Sequence, residues 1–188
     1  MTDFRISKFS KKAMAFRIRQ YPHNDLLNLA HYHHEIIQAK VADGVQDAIA
    51  LDCTSCLIAL AFSVEALVNF VGSRKVTDWN ESAKAPAKIA KLSKALSLPM
   101  DASTEPFAAI VTLRQIRNGL AHGKPAHKIA TAASSDELNL AMQAPWDRYR
   151  DPKTVSTLYR QVIELRKVLF EAAGIRWVDT ITSAIGSN

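Results

Sequence analysis

Arg117, Asn118 and His122 stand within six residues, RNGLAH, where the surrounding pattern predicts the end of a helix. Residues four apart lie on one helix face, so Asn118 sits directly below His122. Arg117 and His122 are about 140° apart around the axis. A long arginine side chain spans that angle by swinging toward the histidine. Arg114 stands one turn before Arg117. A guanidinium neutralises phosphate charge in a fork geometry. An imidazole moves a proton near neutral pH. Together they suit a phosphodiester. Gly119 lies inside the same turn and costs about 1 kcal/mol of helix propensity relative to Ala; close approach of another helix, or of a ligand, would offset that. The plain alternative is capping, because a histidine followed by a glycine ends many helices.

The elements that must position this cluster are helical. Asn24 is a candidate N-cap for a first helix over residues 24–42, with Leu26, Leu29, Ala30, His33, Ile36, Ile37 and Val41 at helical spacing. A second helix is expected over 46–71, closed by Gly72. A polar loop follows at 73–83, with Trp79 tucked in. A third, short helix starts near Pro86 and ends before Pro99. Ser103 or Thr104 would cap a fourth, carrying Phe107, Ile110, Leu113, Ile116 and Leu120 and ending at His122, with Gly123 as a left-handed cap. Residues 123–150 read as mixed loop with a short helix at 135–142. The last long helix is expected over 154–173, stopped by Gly174. The fold class is therefore all-α, a bundle of four to five main helices. The domain plan is a basic N-terminal arm (1–20), a helical domain (21–175) and a C-terminal tail (176–188). Phe4, Ile6, Phe9, Phe16 and Ile18 suggest that parts of the arm dock.

With this order of helices, RNGLAH resembles the R-(N/H/D)-x-x-x-H motif of HEPN domains, the higher eukaryotes and prokaryotes nucleotide-binding family. Residues 61–72, AFSVEALVNFVG, resemble that family's earlier core helix, which often carries an acidic residue where Glu65 falls. The resemblance covers roughly residues 24–173. It implies a symmetric homodimer in which two motif helices meet to form one composite cleft. It implies a metal-independent endoribonuclease, of the kind found among toxins and defence effectors, that uses no cofactor. Arg117 would bind phosphate and stabilise the transition state, His122 would act as general acid/base, and Asn118 would orient the site. Glu65 and Arg114 would support them. RNA or nucleotide is the implied ligand, and an antitoxin or a nucleotidyltransferase an implied partner. Family members that have lost catalysis serve as binding or dimerisation modules. A structural or regulatory bundle, with the motif as a helix cap, is the third reading.

Composition bounds these readings. The 188 residues suffice for one domain with a sizeable core. Formal net charge is +6, which suits an anionic partner. Lys84, Lys88, Lys91 and Lys94 recur every three or four residues and would form a basic stripe; with Lys124 and the arm they make a candidate RNA-backbone track. The alternative is a solvated face. HYHHE, residues 31–35, puts His31, His34 and Glu35 on one face, but no further set has recognisable ligand spacing, and no metal is expected. CTSC, residues 53–56, matches Cys-x-x-Cys without the flanking strand of a redox pair, so buried thiols are expected. The apolar stretch 48–71 is long enough to span a bilayer, yet it carries Asp52, Glu65 and Asn69, which are costly in lipid. It reads as a buried helix, with no membrane partner. The first residues, MTDFRISKFSKK, lack an apolar signal region, and a cytoplasmic setting is the expectation.

Overall fold

The most apolar helix takes the centre. A computed structural model describes residues 15–125 and 127–187. In it α1 (Pro22–Ala42), α2 (Ile49–Lys75), α3 (Ala85–Leu96), α4 (Ala108–Ala121), α5 (Ser135–Met142) and α6 (Pro152–Ala173) form a helical bundle. α1, α3, α4 and α6 all pack on α2. Leu57, Leu60, Val64, Val68 and Val71 of α2 are buried against Ile37, Leu92, Leu113, Ile116, Leu165 and Leu169. α2 is long and apolar enough to cross a membrane, and 61% of its most apolar window is buried inside the bundle.

Several helix ends differ from the sequence reading, each for a local reason. α1 begins at Pro22, whose ring suits the first turn and needs no N–H partner there. Asn24 is thus inside the helix, and its side-chain amide donates to the Thr180 carbonyl at 2.5 Å. α2 does not stop at Gly72 but runs on to Lys75. A Cβ on Gly72 would lie 2.3 Å from the Trp79 indole, so this glycine is a slot for the tryptophan and not a cap. Ser103 does not cap α4, because its N–H and hydroxyl are both used by the Asp101 carboxylate, at 2.8 Å each. α6 starts at Pro152, with Asp151 as N-cap accepting from the Thr154 N–H. α5 is capped by Ser134 and buries none of its residues.

The ends of the described chain form a two-stranded antiparallel ribbon that the sequence reading did not anticipate. β1 (Ala15–Arg19) pairs with β2 (Ser183–Ser187), Arg17 opposite Ile185. Phe16 and Ile18, expected to dock, are 56% and 66% exposed. In the expected basic arm, Phe4, Arg5, Ile6, Lys8, Phe9, Lys11 and Lys12 lie outside the described residues.

Candidate functional site

α4 carries Arg114, Arg117 and Asn118 along its second half and ends on His122, whose N–H donates to the Asn118 carbonyl at 2.9 Å. The neighbouring α2 presents Glu65. Arg117 Nη2 donates to Glu65 Oε2 at 2.6 Å, and the guanidinium lies 5.9 Å from the centre of the Phe62 ring. A carboxylate on so apolar a helix needs a partner, and Arg117, not Arg114, supplies it. The pair is partly exposed, so it orients the guanidinium more than it stabilises the fold.

Beside this pair a cleft of about 510 Å³ opens between α2, α3 and α4. Glu65, Arg114, Arg117, Asn118, Lys84 and Lys88 all line it. The structure therefore brings together six of the residues singled out by sequence. His122 and Lys124 are exposed just beyond the cleft, and neither lines it. The apolar part of the lining comes from Val64, Val68, Ile89 and Ile110.

The expected lysine stripe needs correction. Lys88 is 5% exposed. It stands one turn before Leu92, which is fully buried, so the two share the inward face of α3. Its ammonium donates to Asn69 Oδ1 at 3.0 Å and to the Glu81 carbonyl at 3.1 Å. Lys91 is paired with Asp78 at 2.7 Å, which holds the Asp78 carboxyl below its ordinary range. Lys84 precedes the helix as its N-cap residue, and Lys94 is exposed in the last turn. These four lysines thus have four different surroundings.

Two glycines of the motif region face one tryptophan. Trp146 lies 3.5 Å from the Cβ position of Gly119, the place at which a second helix or a ligand was expected. Gly123 is not left-handed. A Cβ there would sit 2.6 Å from the Gly119 carbonyl oxygen and 3.4 Å from Trp146, so close packing requires this glycine.

The other candidates lie elsewhere. His34 stacks on Tyr159 with ring centres 4.3 Å apart, and its Nε2 is 3.2 Å from Ser156 Oγ. Burial lowers its pKa, although Glu35 opposes this. His33 Nδ1 lies 3.6 Å from Asp52, between α1 and α2. Among the described residues no group of three His, Cys, Asp or Glu side chains is arranged to hold a metal ion. Cys53 and Cys56 are buried free thiols.

Asn69 and Glu81 are site residues that sequence reasoning missed. Asn69, a polar residue in an apolar run, was a visible signal without an assigned use. Glu81 acts through its backbone carbonyl, for which no residue type is a signal. Comparison with protein-family models, with curated proteins and with solved structures found no match.

Proposed function

We propose that this chain is a metal-independent endoribonuclease of HEPN type, acting in the cytoplasm as a symmetric homodimer. One observation carries the reading. Glu65 holds the Arg117 guanidinium at the wall of a cationic cleft, within two helical turns of an exposed His122. An RNA phosphate beside Arg117 would find its charge neutralised there. His122 takes the proton of the neighbouring ribose 2′-hydroxyl, whose oxygen attacks phosphorus. The P–O5′ bond breaks, and a second imidazole, His122 of the other copy, protonates the leaving oxygen. The products are a 2′,3′-cyclic phosphate and a 5′-hydroxyl. Asn118, in the turn between the two, orients the substrate. The surface for the second copy is the outer stripe of α2, where Leu51 and Phe62 are 65% and 42% exposed and Phe62 adjoins Arg117. An RNase of this kind would be restrained by an antitoxin or a nucleotidyltransferase partner.

A second reading has its own support. Arg117 is already paired with Glu65, and His122 stands outside the cleft. Both features favour a module that binds RNA or nucleotide without turnover. The decisive experiment is cleavage of a mixed-sequence labelled RNA in EDTA by the native protein and by His122→Ala. The enzyme reading expects cyclic-phosphate ends and a loss of about 100-fold or more in the variant. Equal cleavage by both proteins sinks the assignment of His122. Saturable RNA binding without cleavage by the native protein establishes the binding module instead.

A further inference from the structure

The two ends of the described chain meet at one end of the bundle, where α1 begins and α2 and α6 finish. A short 3-10 helix, Trp177–Thr180, is tied down there from behind. Thr180 is fully buried, and its carbonyl accepts from the Asn24 amide. Trp177, Val178 and Ile181 are left facing outward, each at least 49% exposed. β2 follows within two residues of Ile181, so the ribbon adjoins them. Successive residues of a strand point to opposite faces. Phe16 and Ile18 therefore share one face of β1, and Arg17 and Arg19 the other. The residues paired with Phe16 and Ile18 are Gly186 and Ala184, too small to cover them. Arg19 faces the bundle, where with Arg74 and Lys75 it lines a hollow of about 350 Å³. A two-stranded ribbon is marginal in water by itself, and this one turns its apolar face to solvent.

Charge decides what covers such a face. Arg17, Arg19, Arg74, Lys75 and Arg176 stand at this end against Asp25, Glu171 and Asp179. Asp179 is already held by Arg176, in two bonds of 2.8 and 3.0 Å. Arg17, Arg19, Arg74 and Lys75 make no ion pair among the described residues. Residues 1–14, outside the described residues, carry Arg5, Lys8, Lys11 and Lys12 against Asp3, so as a cover they would add like charge. An RNA strand would use the cations and leave Ile18, Val178 and Ile181 in water. A bilayer with anionic headgroups uses both: its headgroups meet the cations, and apolar side chains enter the boundary with the acyl chains. An indole suits that boundary. We propose that this end of the bundle docks the chain on an anionic lipid surface. Trp177, Val178, Ile181, Phe16 and Ile18 insert, and Arg19, Arg74 and Lys75 meet headgroups behind them. The contact is peripheral, so α2 keeps its place in the core; the expectation of no membrane partner was drawn from α2 as a span and did not weigh this surface. Lys75 lies ten residues beyond Glu65, about 15 Å along the helix. Docking thus leaves the cleft beside Arg117 open, and the inference does not rest on the cleavage reading.

The test is flotation of the intact protein with vesicles of phosphatidylcholine alone and of phosphatidylcholine with phosphatidylserine. The protein floats with the anionic vesicles, binds the neutral ones at least about tenfold more weakly, and is released by added salt. Trp177→Ser weakens binding about tenfold, through loss of the inserted indole. The double variant Arg74→Gln, Lys75→Gln weakens it about tenfold through loss of charge. Lys153→Ala, at the opposite end of α6, leaves binding unchanged. All four side chains are exposed, so these variants keep the fold, which circular dichroism checks. The proposal is overturned if the native protein does not float with anionic vesicles or if neutral vesicles bind it equally well. It is also overturned if either Trp177→Ser or the double variant floats like the native protein. Capture of mixed-sequence RNA that is lost in Trp177→Ser, without flotation, would give this face to nucleic acid and likewise overturn it.

Discussion

Gly72 and Gly119 each lie in a helix beneath a tryptophan, yet substitution by alanine should act in opposite directions. A Cβ on Gly72 meets three atoms of the Trp79 indole at 2.3–2.5 Å. The indole must move, and overpacking of this kind costs about 1–3 kcal/mol. On Gly119 the new methyl lies 3.5 Å from Trp146, an ordinary contact, and the helix gains about 1 kcal/mol of propensity. Urea unfolding of Gly72→Ala and Gly119→Ala should show one variant less stable than the native protein and the other more stable. Equal midpoints would contradict the packing described around Trp79. At this scale the residue types at the site were legible, because arginine, asparagine and histidine at the end of a helix are chemically informative wherever they fold. The burial of Lys88 was not. Lysine is seldom buried, and what buries this one is a loop carbonyl from Glu81 and an amide from α2.

The α1 and α2 helices each bury ionisable groups whose titration reports on packing. His23, in the first turn of α1, is 2% exposed and stacks on Phe70 with ring centres 4.6 Å apart. Its Nε2 is buried without a hydrogen-bond partner among the described residues. Burial lowers its pKa from 6.5 to about 4; nearby Arg166 adds to the fall and Asp25 opposes it. Between these two values the unfolded chain binds a proton that the folded chain does not. Stability should therefore fall as pH drops from about 6.5 to about 4, by about 3 kcal/mol in total. Urea unfolding across that range should show the loss, and His23→Leu should flatten it. A native protein as stable at pH 4 as at pH 7 would refute the burial of a neutral imidazole. On α2, burial pushes the Cys53 thiol up to about 11 and the Cys56 thiol up to about 12. Nearby Asp151 and Asp52 add to the rise at Cys53. The reactive thiolate is thus scarce at neutral pH. A thiol reagent at pH 8 should label neither cysteine in the native protein and both at once in denaturant. Rapid native labelling would mean that α2 is less well covered than described. Periodicity revealed these helices as elements. Their ends depended on competition among local groups, such as Asp101 occupying Ser103, which no single residue announces.

Across the whole molecule, the stripe of α2 left outside the bundle bears on assembly. If Leu51 and Phe62 meet a second copy, Phe62→Ser removes an apolar anchor without touching the core. Sedimentation should then shift from dimer to monomer, with the native melting temperature of the protomer retained. RNA cleavage should fall with it. A native protein that sediments as a monomer at all working concentrations would remove the composite site. By itself the sequence determined that the chain is a helical bundle, because helix periodicity, proline starts and a glycine stop such as Gly174 are local rules. It also determined the order Arg117, Asn118, His122 along one helix. Only the tertiary structure decided that Glu65, 52 residues away, is the partner of Arg117 and that Lys88 turns inward. It alone paired the ends of the described chain in a ribbon and set Trp146 over Gly119. Each of these depends on which groups tertiary packing brings within a few ångströms, and separation along the chain does not encode that distance.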